Sequence, residues 1–283
     1  MSFSIFKQSL TLLCLISLPA VGSTLTAESS GTDAGPQLSS PGEGFQVIEL
    51  GSDAVVVTSE PFAANSLLVR TLSGEVILVD SPATPADTQA LLAWAEEHWR
   101  GPVTHAVTSH WHLDASGGNQ VLLAAGVEVI SSKLTALLLR DRGETMKAEL
   151  IRMFQESDPE TATELEAFQP TAAPNPLEIS GSRTIELGGE LIILLAPGPS
   201  HSPDSIGVYF PRLRMLYGGC AVRSNGRIAN PADADLATWE KALETFADLG
   251  AEIVVPGHGL RFDPAMIQES IEAVQELQIT KTE

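Results

Sequence analysis

At 283 residues and 43% apolar content, the chain can hold one large domain or two small ones around a substantial core. Sixteen Lys and Arg stand against 36 Asp and Glu, a formal charge of −20. That balance argues against nucleic acid or an anionic membrane surface as a partner, because phosphate contacts need clustered Lys and Arg.

The chain opens with an address rather than a fold. Lys7 precedes an apolar run at 10–18 that is too short to span a bilayer, and Val21-Gly22-Ser23 offers small residues for cleavage after Ser23, with a second candidate site near Ala27. Residues 1–23 therefore read as a signal peptide, the mature protein as periplasmic or secreted, with no stable membrane anchor. Cys14 leaves with that segment, so Cys220 is the one thiol of the mature chain and has no partner for an internal disulfide. It is either a buried, inert cysteine or a metal ligand, coordination being what protects a lone thiol in an oxidising compartment. Residues 24–44, rich in Ser, Thr, Gly and Pro, read as a disordered or extended lead-in. Residues 45–283 read as a single domain.

Strand-like runs at 45–49, 54–58, 66–71 and 75–80, separated by turn residues, predict an antiparallel meander. The pattern then alternates. Thr84-Pro85 starts a helix with a hydroxyl cap and a proline in the first turn. A strand at 103–108 leads into His110-Trp111-His112-Leu113-Asp114, a helical stretch runs through 121–123, and 128–131 is a short strand. Helical composition at 134–154 and 159–168, broken at 170–176, predicts an insertion over one flank. Strands resume at 183–187, 191–195, 206–210, 215–217 and 253–255. Helices are expected over 236–249, with Trp239, Leu243 and Phe246 at core spacing, and after Asp263-Pro264.

His110, Cys220 and His258 each follow a β-like run, and His201 follows the strand at 191–195, so all can converge at one sheet edge. With His112 and Asp114 they make four imidazoles, a carboxylate and a thiol, the donor types that suit zinc. Two sets of three leave each ion an open position, the mark of catalytic sites. The residues alone thus predict a dizinc hydrolase with a small-molecule substrate. His98 fits no ligand motif and reads as an exposed helix end, and His105 as a core strand residue. Phe62 either tips a flap over the site or is buried.

Val79-Asp80, Ser109-His110-Trp111-His112-Leu113-Asp114-Ala115-Ser116-Gly117-Gly118, Gly198-Pro199-Ser200-His201-Ser202-Pro203-Asp204, Gly218-Gly219-Cys220 and Val255-Pro256-Gly257-His258-Gly259 resemble the metallo-β-lactamase superfamily. Ala115, where many members have a histidine, and Cys220 make the likeness greatest to the dizinc, cysteine-containing first subclass of class B β-lactamases. The resemblance implies an α/β fold, a four-layer αββα sandwich of two mixed β-sheets flanked by helices; nothing in the sequence demands more than a monomer. It implies two Zn2+, one held by His110, His112 and His201 and the other by Asp114, Cys220 and His258. Asp114 would also orient the nucleophile and help move its proton. Arg223 would bind the substrate carboxylate where a lysine is usual, Asn230 would polarise the lactam carbonyl, and Asp80 would be a buried supporting carboxylate. The implied reaction is opening of the β-lactam ring by zinc-activated water, conferring antibiotic resistance. A same-fold hydrolase of another ester, lactone or thioester and a non-catalytic zinc-binding protein are the alternatives. Ser200, Ser202 and Ser205 depart from the glycine, threonine and asparagine usual at those places.

Overall fold

The computed structural model describes residues 38–99, 101–228 and 231–282. The expected signal peptide, Cys14, most of the lead-in and Asn230 lie outside the described residues. Among the described residues, no helix is long and apolar enough to cross a membrane.

Six strands form the first sheet in chain order: β1 (Phe45–Glu49), β2 (Ala54–Ser59), β3 (Ala64–Arg70), β4 (Val76–Val79), β5 (Val103–Val107) and β6 (Glu128–Ile130). The first four are the expected antiparallel meander. β4, β5 and β6 are parallel, because helices now carry the chain back between them. These are α1 (Pro85–His98), then α2 (Leu113–Ser116) and α3 (Asn119–Ala124). Thr84 caps α1 as expected, its Oγ1 accepting the Asp87 N–H at 3.1 Å. The second sheet has the order β11-β10-β9-β8-β7, from β7 (Gly181–Leu187), β8 (Glu190–Ala196), β9 (Gly207–Phe210), β10 (Met215–Gly219) and β11 (Ile253–Pro256). Helix α6 (Leu236–Ala247) links the parallel pair β10 and β11, and α7 (Ala265–Thr282) ends the chain.

Three apolar layers bind these elements. Along β2 the side chains alternate in destination: Ala54 and Val56 lie between the sheets with Leu67, Val79, Leu194, Phe210 and Tyr217, whereas Val55 and Val57 lie with Leu91 and Trp94 of α1. On the far side, Trp239, Leu243 and Phe246 of α6 and Ile267, Ile271 and Val274 of α7 cover the second sheet. The result is the expected four-layer sandwich. Both faces of β2 and β4 are buried, which explains why they read as continuous apolar runs.

The insertion is a helical hairpin, α4 (Lys133–Ser157) and α5 (Pro159–Glu166). Helix α4 passes through Gly143 without a break. A Cβ there would lie 2.3 Å from the Pro170 side chain, so glycine lets the returning chain press against the helix. Lys147 Nζ closes the hairpin by donating to the carbonyls of Glu166 at 2.8 Å and Phe168 at 2.6 Å.

Leu113–Ser116, to which the sequence assigned no element, is a helical turn, with the Ala115 and Ser116 N–H groups bonding back to His112 O. One expectation is corrected: His105 is half-buried rather than core, with Nδ1 2.9 Å from Thr104 Oγ1 and Nε2 3.7 Å from Glu128 at the sheet margin. His98 does lie at a helix end, partly exposed and stacked on Trp94.

Candidate metal centre

β9 runs antiparallel to both β8 and β10, and β11 is parallel to β10. The ends of β8, β10 and β11 therefore open at one edge, where His201, Cys220 and His258 follow them. β5 of the facing sheet delivers His110, His112 and Asp114 to the same place. All six candidate ligands come together. Three overlapping sets have their donor atoms within 4.8 Å of one another: Asp114 with Cys220 and His258, His110 with His112 and Asp114, and His110 with His201 and Cys220. The three histidines expected to act together are in mutual ring contact, with centroids 4.8, 5.4 and 5.0 Å apart.

Outer partners fix where the lone pairs point. Ser109 donates its hydroxyl to Asp80 Oδ2 at 2.6 Å, so its oxygen is left to accept from His110 Nδ1 at 3.0 Å. His110 Nε2 is then a bare lone pair, buried without a hydrogen-bond partner. The carbonyl of Phe62 can only accept, so His258 Nδ1 donates to it at 3.0 Å and Nε2 turns to Asp114 Oδ2 at 2.9 Å. His112 Nε2 donates to Asp233 Oδ2 at 3.3 Å, leaving Nδ1 facing His201 Nε2 at 3.1 Å. Without a metal, a proton on His258 Nε2 is shared with Asp114 and one between His112 Nδ1 and His201 Nε2, while His110 Nε2 and His201 Nδ1 stay buried and unpartnered. The donor set therefore fits a metal, and the outer hydrogen bonds are of the kind that orient metal-binding imidazoles.

The electrostatics agree. Burial pushes His110 down to about 3, so its ring stays neutral. Burial, with His112 and His110 beside it, likewise holds His201 well below the usual imidazole range. Burial would raise Asp114, yet the hydrogen bond from His258 and the neighbouring imidazoles hold it well below the ordinary carboxylate value. Burial and the Asp114 charge push the Cys220 thiol well up, so a cation must be present before it ionises at neutral pH. Gly257 makes room for that sulfur: a Cβ at 257 would lie 2.4 Å from Cys220 Sγ.

The frame around the ligands is polar and bonded. Asp80, at φ 57°, accepts the Ser109 N–H and hydroxyl, both at 2.6 Å, and the Tyr217 hydroxyl at 2.9 Å. Burial raises Asp80 to about 7 against the pull of those donors. Asn65 Nδ2 ties the His258 loop to the first sheet through the carbonyls of Pro256 at 2.9 Å and Gly259 at 2.8 Å. Arg223 donates Nε to Arg227 O at 2.9 Å, and its charge is felt at both Cys220 and His201. Phe62 is partly buried, its ring meeting Phe154 of the insertion edge-on.

Sequence reasoning missed Asp233 and Arg142. Asp233 accepts from Trp111 Nε1 at 2.8 Å as well as from His112, and Arg142 of α4 pairs with its other oxygen at 3.2 Å. An aspartate among turn residues carries no local signal of such a role.

The chain is 28% identical over 189 residues to a metallo-beta-lactamase type 2 of Bacteroides fragilis, a match spanning 65% of this chain and 65% of that one. It is 26% identical over 223 residues to the metallo-beta-lactamase type 2 of Bacillus cereus, spanning 77% of this chain and 75% of the other. A solved metallo-beta-lactamase from Pontibacter korlensis superposes with a TM-score of 0.66 at 26% identity, covering 82% of this chain and 99% of its own. The family model of the metallo-beta-lactamase superfamily matches residues 59–258, the stretch that contains all six candidate ligands, and the chain belongs to that superfamily.

Proposed function

We propose that the chain is a dizinc β-lactamase, exported from the cytoplasm by its first 23 residues. The observation that carries the metal reading is the buried, unpartnered His110 Nε2 in donor sets, with His201 and Cys220 and with His112 and Asp114, whose atoms lie within 4.8 Å of one another. His110, His112 and His201 would hold one zinc, and Asp114, Cys220 and His258 the other. Bound zinc supplies Lewis acidity, polarising a carbonyl and making water nucleophilic near neutral pH. Asp114 belongs to two of the donor sets, so its carboxylate is placed to orient a water and help move its proton. Arg223 provides the positive charge for a substrate carboxylate, and Asn230 a donor for the lactam carbonyl. Ser200 and Ser202 are fully buried, and Ser202 donates to Asp204 at 2.8 Å, so neither is presented as a nucleophile for an acyl-enzyme route.

The β-lactam assignment is supported by the relatives' activity and by the thiol at Cys220 with Ala115 beside Asp114. The test is hydrolysis by the purified mature protein of penicillin, cephalosporin, carbapenem, lactone and thioester substrates, before and after chelation. Chelator-sensitive turnover of the lactams above the others is expected. Preference for a lactone or thioester would replace the substrate, and chelator-insensitive turnover or none at all would refute the mechanism.

A further inference from the structure

The insertion reaches the metal-binding end of the molecule through Phe154, near the C-terminal end of α4. This ring is 7% exposed and meets Phe62 edge-on, with centroids 5.6 Å apart and an interplanar angle of 68°. Phe62 lies in the turn between β2 and β3, where Ala63 takes φ 49°, an uncommon backbone state for a residue with a Cβ. Pro61, the pairing of Ser59 with Ala64 and the Glu60 N–H on Gly44 O at 3.2 Å set the path of the chain into and out of that turn. Its tip is anchored by the Phe62 ring, seated in a cluster with Phe154, Leu113, Leu165 and Phe168. The carbonyl of the same residue accepts from His258 Nδ1. The backbone at His258 is secured to the strand that follows this turn, by its bridge to Ala64 and by the Asn65 N–H bonded to Gly257 O at 2.8 Å. The Phe62 carbonyl is thus left to set the tilt of the imidazole ring.

We propose that Phe154 is a positioning residue for the Asp114, Cys220 and His258 set: by clamping the Phe62 ring it keeps the Phe62 carbonyl on His258 Nδ1 and so aims His258 Nε2 at the metal. The inference rests on the metal-binding reading above. It assigns to the insertion a part in metal binding that its sequence does not declare, and it distinguishes Phe154 from ordinary core filling.

The experiment is a titration of the metal-free protein with cobalt(II) chloride, following the thiolate-to-cobalt absorption that only an ion at Cys220 gives. In Phe154→Ala the affinity reported by that absorption falls about tenfold to a hundredfold, the scale seen when an outer partner of a metal ligand is lost. The affinity of the histidine set is unchanged. Phe62→Ala removes the ring and keeps the carbonyl, and it gives the same loss. The double variant loses no more than either alone, since both cut one coupling. Leu165→Ala thins the same cluster and leaves both rings in place; it lowers the melting temperature without moving the cobalt affinity. If Phe154→Ala does not fold, Phe154→Leu is titrated in its place and shows a smaller loss in the same direction. Wild-type affinity in the folded Phe154 variant, or an equal loss in Leu165→Ala, overturns the proposal. Wild-type protein that gives no thiolate absorption would bring down the metal reading itself, a result visible before any variant is compared.

Discussion

Replacing Asp233 by asparagine keeps the shape of the side chain and removes the charge that receives both Trp111 Nε1 and His112 Nε2. Without a carboxylate acceptor, the His112 tautomer protonated on Nδ1 becomes competitive, and Nδ1 is the nitrogen facing His201. A hydrogen bond to a charged acceptor contributes about 1.5–3 kcal/mol. Asp233 is 25% exposed and His112 21%, so water reaches the pair and the lower half of that range applies. A loss of about 1.5–2 kcal/mol corresponds to about 10–30-fold in zinc affinity. Arg142 is 52% exposed, and its pair with Asp233 is worth at most about 1 kcal/mol, or about fivefold. Competition for zinc against a chromophoric chelator, with thermal melts to verify folding, measures both. Asp233→Asn must cost more than Arg142→Met. Wild-type zinc affinity in folded Asp233→Asn, or an equal cost in the two variants, would refute the reasoning.

Cys220→Ser replaces a thiol that a metal can ionise with a hydroxyl that it ionises far less readily; the second zinc should be lost on dialysis, and metal analysis returning two ions per chain would contradict the assignment. Arg223→Ala should lower kcat/KM about 10–100-fold for substrates bearing a carboxylate, mainly through KM, and leave their neutral esters little changed. An unaltered ratio between the two substrate types removes Arg223 from the site. Arg212→Met strands Glu190, which is 1% exposed with Oε2 bonded to Arg212 Nε at 2.6 Å. Breaking a fully buried pair costs about 3–5 kcal/mol; with Arg212 31% exposed, about 2–3 kcal/mol is expected here. At about 2–4 °C per kcal/mol that lowers Tm by roughly 4–12 °C, and pairing the change with Glu190→Met should restore most of it. A melting curve unmoved by Arg212→Met would show that solvent already compensates Glu190.

The sheets were legible because β-branched runs bounded by Gly, Pro and Asn are local signals, and the candidate ligands because His110, His112 and Asp114 fall within five residues while His201, Cys220 and His258 each stand in a short glycine-bearing motif. What was hidden depends on distance along the chain. Asp233 meets residues 122, 121 and 91 positions away, and no periodicity marks such partners. Phe62 stood between two readings because its ring finds Phe154 in a segment whose helices composition could suggest but whose docking surface it could not. His105 misled because an imidazole in a strand carries the apolar alternation without declaring that Glu128 waits at the margin. Asp80 was foreseen as a supporting carboxylate, but its hold on Ser109, and through it the orientation of His110, emerges only when the backbone turns at φ 57°.

The helical insertion leaves and rejoins the frame at almost the same point. Lys133 N–H bonds to Leu177 O at 2.9 Å, and Leu177 N–H to Ser131 O at 2.8 Å. The excursion between them is a loop with its neck already tied, so its length can drift at a closure cost that grows only logarithmically. Descendants of this chain can lengthen, trim or exchange the hairpin while the strands beneath keep their register. Provided that Phe154 keeps its place on Phe62, variation elsewhere in this one module is then a route by which the surroundings of the centre diverge.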